Sequence, residues 1–174
     1  MDGTAVSISV ADAAERPLIE GLFQLYVYDF SELEPADSPD FEVGPDGRFG
    51  PSPYIGDYWT EPSRTPIIIR RGVRTVGFAL LNGVGHSGLP VDRNMAEFFV
   101  MRKHRRAGVA SAAVRALLTG YTGLWEIAVA ERNSGARAFW PGAVAATPGV
   151  RGLETLQGDG VRWRGPILRF IVDA

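Results

Sequence analysis

The spacing of apolar residues changes several times along the chain, and each change marks an element. Residues 6–10 read as a short strand, and Asp12 with Glu15 three positions on is the signature of a helix N-terminus. In the helix that follows, Leu18, Leu22 and Tyr26, flanked by Ile19 and Phe23, form one apolar stripe ending near Tyr28. Residues 31–53 lose this periodicity: Pro35, Pro39, Gly44-Pro45, Asp46-Gly47, Gly50, Pro51 and Pro53 predict a long irregular loop, of the kind that is functional or mobile. A short helical turn over 54–60 closes it. A hairpin of 66–70 and 75–81 follows, turning at Arg71-Gly72, and both runs are apolar or β-branched enough for inner strands. After a loop over 82–90, the fourth strand, 95–101, is mostly apolar with Glu97 embedded in it. Residues 107–121 predict a helix on which Ala110, Val114 and Leu118 share a face with Ala113 and Leu117, stopped by Gly120 and Gly123. A fifth strand over 124–130, a short helix over 133–140 ended by Pro141-Gly142, and a hairpin of 153–157 and 161–172 complete the chain. Pro166 implies a bulge or an unpaired edge in the last strand. No repeat and no linker divides residues 1–174, so a single domain is expected.

Composition narrows the class. With 45% of its 174 residues hydrophobic and 22% charged, the chain can build its own core, because at this length roughly 70% of the unfolded surface is removable from water. Cysteine is absent, which excludes a cysteine nucleophile, a disulfide framework and a thiolate zinc site, and fits a reducing compartment. Residues 1–10 carry an acid and no base, and no uncharged apolar run approaches the ~18 residues of a membrane span. A cytoplasmic protein with no membrane partner is expected. His86 and His104 are too far apart to suggest a metal site.

Charge is distributed unevenly. Residues 1–64 hold thirteen acids and three bases, net −10, whereas residues 65–174 hold seven acids and fifteen bases, net +8. A C-terminal half that receives an anion follows, with an N-terminal half that faces a cation or is simply well solvated.

The richest segment is Glu97-Phe98-Phe99-Val100-Met101-Arg102-Lys103-His104-Arg105-Arg106-Ala107-Gly108-Val109-Ala110, a strand leading through a basic turn into a helix. The first N–H groups of a helix have no intrahelical partner and sit at the positive end of its dipole, so phosphate oxygens are natural ligands there. Gly108 permits close approach to the backbone, and Ala110 and Ser111 keep the next positions clear. Neither G-x-x-x-x-G-K-[ST] nor G-x-G-x-x-G is present. What stands there is R-x-x-G-x-A, as Arg105, Gly108 and Ala110, and farther on N-x-x-A-x-x-F-[aromatic], as Asn133, Ala136, Phe139 and Trp140.

These two motifs, at this separation, resemble the coenzyme A loop and the following helix of the GNAT superfamily of N-acetyltransferases. The order of elements is similar over nearly the whole chain. Tyr28-Asp29-Phe30-Ser31-Glu32, Ala96-Glu97-Phe98-Phe99-Val100, Ala138-Phe139-Trp140 and Arg164-Gly165-Pro166 further resemble a little-characterised bacterial branch of predicted acetyltransferases. The resemblance implies an α+β fold: a twisted, mixed but mostly antiparallel sheet of about seven strands, about four helices, and a fourth and fifth strand that splay apart. It implies acetyl-CoA as cosubstrate, with the pantetheine arm against the backbone of Phe98, Phe99 and Val100. The amides from Arg105 through Arg106, Ala107, Gly108 and Val109 to Ala110 would take the diphosphate, and Asn133 would steady the arm or the adjoining loop.

Acyl transfer to an amine requires the neutral amine, whose conjugate acid has a pKa near ~10, so a base or proton wire is needed near pH 7. Glu97, on a strand expected to face the acceptor and among apolar neighbours, is the first candidate, the alternative being a solvated or Arg-paired carboxylate. Glu126 on the fifth strand is the second, unless Trp125 merely marks the wet end of the sheet there. Enzymes of this superfamily commonly protonate the leaving thiolate with a Tyr at the position held here by Trp140. Indole cannot serve as an acid at neutral pH, which leaves a Tyr from the N-terminal half, water, or the amine's own proton. Core packing is the plain alternative for Trp140.

Glu32, Glu34, Asp37, Asp40, Glu42 and Asp46, together with Tyr28, Phe30, Tyr54, Tyr58 and Trp59, suggest a small cationic amine as acceptor, or an acidic loop over aromatic core residues. A homodimer is left open. The pI of about 5.7 argues against a nucleic-acid partner. An acyl-CoA-binding module without turnover is the rival that the missing Tyr keeps open.

Overall fold

The computed structural model describes residues 5–50 and 54–173, so Pro51 and Pro53 of the predicted loop lie outside the described residues. Seven strands form one sheet: β1 (Val6–Val10), β2 (Thr65–Arg71), β3 (Arg74–Asn82), β4 (Arg93–Val100), β5 (Gly123–Ala128), β6 (Val150–Gln157) and β7 (Pro166–Val172). Their order across it is β1-β2-β3-β4-β5-β7-β6. Among the described residues there are three α-helices rather than about four: α1 (Arg16–Ser31), α2 (Val109–Gly120) and α3 (Ser134–Ala145). The predicted turn after the long loop is a single 3-10 turn, Ile55–Trp59. The expected capping signature is present, Asp12 accepting from Ala14 and Glu15 while Glu15 accepts from Asp12.

Every neighbouring pair of strands is antiparallel except β4 and β5. These two run parallel and meet only at Arg93↔Trp125 and Asn94↔Glu126. Beyond Asn94 the edge of β4 that faces β5 has no strand beside it among the described residues, while β5 continues along β7. The expected splay is therefore present, and it opens toward the C-terminal ends of both strands.

Each face of the sheet has its own core. Against one face lie α2 and α3, through Val114, Leu117, Leu118, Trp140 and Val144 on Trp125, Ile127, Leu168 and Phe170. Against the other, Ile19, Leu22 and Phe23 of α1 pack with Tyr58 on Ile68, Phe78, Leu80 and Phe99. Each such side chain contributes roughly 1.5–3 kcal/mol. The α1 stripe is rotated from the sequence expectation: Ile19, Leu22 and Phe23 are buried, whereas Leu18 is 39% exposed.

A register shift between β3 and β4 decides which way the fourth strand presents its residues. Leu80 lies opposite Glu97 and Leu81 opposite Met95, so Ala96 is the extra residue of a bulge. Met95 packs with α2 and α3, while Ala96 packs on the α1 side. In a regular, unbulged strand Met95 and Glu97, two positions apart, would share a face.

Packing overrides one stop signal, and a second proline falls where a strand begins. Pro141 does not end α3, which continues to Ala145. An interior proline costs about 3 kcal/mol, an amount that burial of Trp140 and Val144 one turn apart offsets. Pro166 marks neither an edge nor a bulge: it is the first residue of β7, an inner strand, and its carbonyl accepts from Val129 at 2.9 Å. Residues 161–165, expected in that strand, belong to the preceding loop.

Candidate active site

Where β4 and β5 part, a cleft of about 520 Å³ opens between α1, the end of β4, the start of α2 and the start of α3. Its floor carries Phe98 and Phe99, with Trp140 at the α3 side and Tyr26 at the α1 side. Both motif regions border it.

The basic turn after β4 has the backbone of an anion cradle. Residues Arg102–His104 form a 3-10 turn, Arg106 takes φ of 59°, and Gly108 takes φ of 74° as the N-cap of α2. A left-handed residue other than glycine costs of order 1 kcal/mol, so the conformation at Arg106 is held by its surroundings. The N–H groups of Arg106, Ala107 and Gly108 donate to no described residue. Those of Val109, Ala110 and Ser111 open the helix and have no carbonyl one turn back within it. A Cβ added to Gly108 would meet nothing within 4 Å, so that side of the turn is open. Arg105, Arg106, Gly108 and Ala110 line the cleft; Ala107 does not, and Val109 is buried under the sheet, anchoring the helix.

The charge asymmetry of the chain is partly spent across this cleft. Arg102 donates to Asp29 at 2.7 Å and to Glu32 at 2.7 Å. Arg105 also donates to Asp29, places its Nε 2.7 Å from the carbonyl of Val100, and lies 5.5 Å over the ring of Phe99. Arg132 donates to Glu34 at 2.6 Å. Pairs made by arginines this exposed contribute little to stability. A multiply charged anion could displace them cheaply.

Glu97 projects from the bulge toward α1, where Tyr26 Oη donates to its Oε2. Burial pushes the Glu97 carboxyl up to about 7, against the lowering effect of the Tyr26 hydrogen bond. The phenol of Tyr26 is itself raised well above its ordinary value by burial and by the nearby carboxylate. Tyr58 is raised too, chiefly by burial, with Glu97 adding to it.

Glu126 is placed differently. It is fully buried away from the cleft and accepts from the N–H of His86, the N–H of Ser87 (2.9 Å), the hydroxyl of Ser87 (2.6 Å) and Arg169 (2.7 Å). Burial alone would raise its pKa, but these donors outweigh burial and hold it below the usual value. Its oxygens are occupied in pinning the β3–β4 loop to β7, so the geometry places this second candidate base in a buried ion pair outside the cleft lining. His86, whose pKa is lowered mainly by burial, packs in a tilted contact on Trp163 at 4.7 Å as part of that anchor.

The remaining expectations divide. Asn133 caps α3, its Oδ1 accepting from Ala136 at 2.9 Å, and borders the cleft. Trp140 is buried, edge-on to Phe98 at 5.2 Å, so it packs the core while forming a cleft wall. Of the acidic and aromatic set, only Phe30 and Glu32 border the cleft. Tyr28, Glu34, Asp40 and Glu42 line a separate groove of about 530 Å³ reached from another side of α1. Among the described residues no helix is long and apolar enough to cross a membrane.

The sequence model described as "Acetyltransferase (GNAT) family" matches residues 27–141, more than half of the chain. The chain belongs to this family of acetyltransferases. No curated protein is significantly similar in sequence. Solved structures agree with the fold over almost the full length. An acetyltransferase from Thermus thermophilus superposes with a TM-score of 0.64 at 15% identity, covering 98% of each chain. The ribosomal-protein-S18-alanine N-acetyltransferase of Escherichia coli gives 0.55 at 11%, covering 98% of this chain and 96% of that one. The spermidine N-acetyltransferase of Vibrio cholerae, in complex with CoA and spermine, gives 0.54 at 11%, covering 95% and 93%. In this GNAT chain, the Tyr26–Glu97 contact and the pairing of Asp29 and Glu32 with Arg102 are the site features that sequence reasoning missed. Tyr26 lies on the α1 stripe, and the two-signed charge distribution is the trace of those ion pairs.

Proposed function

We propose that this protein is an acetyl-CoA-dependent N-acetyltransferase that transfers an acetyl group to a primary amine of a small cationic acceptor, by direct attack in a ternary complex. The observation that carries the proposal is the row of unbonded N–H groups from Arg106 to Ser111 at the mouth of the splay between β4 and β5. That donor set suits a diphosphate, and Arg102 and Arg105 would exchange Asp29 for phosphate oxygens. The pantetheine arm would lie along Phe98 to Val100, between Asn133 and Trp140. An N–H near Phe99 or Val100 would polarise the thioester carbonyl.

Glu97 is the base in this reading. A carboxyl titrating at about 7 is partly ionised at neutral pH and matches the requirement that a general base titrate near the working pH. It would take one proton from the amine as nitrogen bonds to the acetyl carbon and the carbon–sulfur bond breaks. A cytoplasmic location belongs to the same proposal. Spermidine enters the set of acceptors to be tried because one enzyme of like fold acts on it.

The test is release of free thiol from acetyl-CoA with a panel containing polyamines, amino acids, peptides with free N-termini and aminoglycoside-type amines. Amine-dependent release supports the proposal. Thermal stabilisation by coenzyme A with no release on any amine favours a silent acyl-CoA-binding module, the reading in which Trp140 in place of Tyr reflects lost turnover.

A further inference from the structure

We propose that Tyr26 protonates the departing sulfur, and that it refills from Glu97, so that the two side chains form one relay from the attacking amine to the leaving group. This rests on the acetyl-transfer reading above and assigns the acid that reading lacks.

The proton balance of the reaction requires such a route. As the amine nitrogen bonds to the acetyl carbon, its proton must leave; as the carbon–sulfur bond breaks, the thiolate must gain one. Trp140 forms the α3 wall of the cleft, but an indole N–H is not an acid at neutral pH. Among the described residues two hydroxyl side chains line the cleft, Tyr26 and Ser111. Ser111 stands in the first turn of α2, at the diphosphate end. Tyr26 stands at the α1 side of the cleft, beside Phe99 on the stretch of β4 that β5 leaves unpaired.

The Tyr26 ring is fixed by aromatic neighbours at 5.5 Å (Phe23), 4.8 Å (Phe30), 5.9 Å (Phe78) and 6.0 Å (Phe99). Its hydroxyl is therefore held in one place, donating to Glu97. The bulge at Ala96 is what turns Glu97 to this face. Tyr58 faces the same carboxyl from the 3-10 turn, with Arg64 5.4 Å over its ring. Tyr26 alone would be a poor acid, since burial and the carboxylate strengthen its hold on the proton. Coupled to Glu97 the difficulty disappears. Once Glu97 has taken the amine proton, its new O–H donates to Tyr26 Oη and the phenolic O–H, no longer held by a carboxylate, turns to sulfur; Oη gives its proton to the thiolate as it receives the one from Glu97, so no tyrosinate is formed and the amine's proton is accounted for on the thiol.

Y26F, E97Q and the double variant test this in the full chain with acetyl-CoA and the best amine of the panel. Y26F is expected to lower kcat about a hundredfold while KM for acetyl-CoA stays within about twofold. Groups that act as a unit are non-additive, so the double variant should fall no further than the worse single one. The acid limb of the pH profile, set by Glu97, should move to higher pH in Y26F, because the hydrogen bond that lowers its pKa is gone. An activity-independent check is the Glu97 carboxyl followed by 13C NMR: its midpoint should also rise in Y26F. A kcat within twofold of wild type, additive losses, or an unmoved Glu97 midpoint each overturn the relay while leaving acetyl transfer standing. Absence of thiol release from wild type with every amine, alongside a normal Glu97 midpoint and its rise in Y26F, overturns acetyl transfer and the relay with it.

Discussion

Replacing Glu97 by Gln should make the protein more stable, and only at neutral and alkaline pH. The carboxyl titrates near its ordinary 4.5 in the unfolded chain and at about 7 in the fold, because burial disfavours its charged form. Between those values the unfolded state binds fewer protons than the native state, so stability falls as pH rises. At about 1.4 kcal/mol per tenfold change in proton affinity, and discounting for partial exposure, the loss is about 2–3 kcal/mol above pH ~7.5. E97Q lacks this titration, and its amide oxygen still accepts from Tyr26. The two proteins should therefore unfold in urea with nearly equal free energies at about pH 4.5, and E97Q should lead by about 2–3 kcal/mol at about pH 8.5. Equal stabilities at both pH values would refute the claim that burial raises the pKa of Glu97.

Three further perturbations bear on the site. E126A leaves Arg169 buried without its partner and should destabilise the fold by about 3–5 kcal/mol in thermal or urea unfolding; a loss below about 1 kcal/mol would return Glu126 to the list of candidate bases. D29N releases Arg102 and Arg105 and should tighten coenzyme A binding up to about fivefold at low salt, fading as salt screens the charges; calorimetry that found weaker binding would show that Asp29 orients those arginines instead of competing with phosphate. G108A forces a Cβ into a left-handed position, which should cost about 1 kcal/mol of stability, and it also puts a methyl group on the open side of the turn, so coenzyme A affinity should drop as well; unchanged affinity would place the diphosphate elsewhere.

Much of this site is legible in local sequence. The strand, the basic turn and the helix beginning at Gly108 are all signalled by residues within one short segment, so no long-range contact is needed to read them. Asn133 stands out by its spacing, and its capping role follows from side-chain chemistry that sequence carries directly. What escapes depends on long-range packing. The extra residue at Ala96 leaves no local trace, yet it decides the face on which Glu97 lies. Glu126 and Glu97 look alike in sequence as lone acids in apolar strands, and only the arrival of Arg169, Ser87 and His86 separates an anchored carboxylate from a titrating one. The helix-stop rule fails at Pro141, where buried neighbours outweigh a local preference, whereas Pro166 obeys the strand rule by standing first in β7, which begins five residues later than its pattern suggested. The acidic residues after α1 look in sequence like one group facing a ligand; the fold splits them between ion pairs at the cleft and a separate groove.

The central claim is that the turn from Arg106 to Ser111 grips the diphosphate of coenzyme A at the opening between β4 and β5. Backbone amide 1H–15N spectra recorded during titration with coenzyme A test it most directly. The account predicts saturable shifts concentrated at the amides of residues 106–111 and 98–100. Shifts confined to the groove around Tyr28 and Phe41, or none at all, would contradict it.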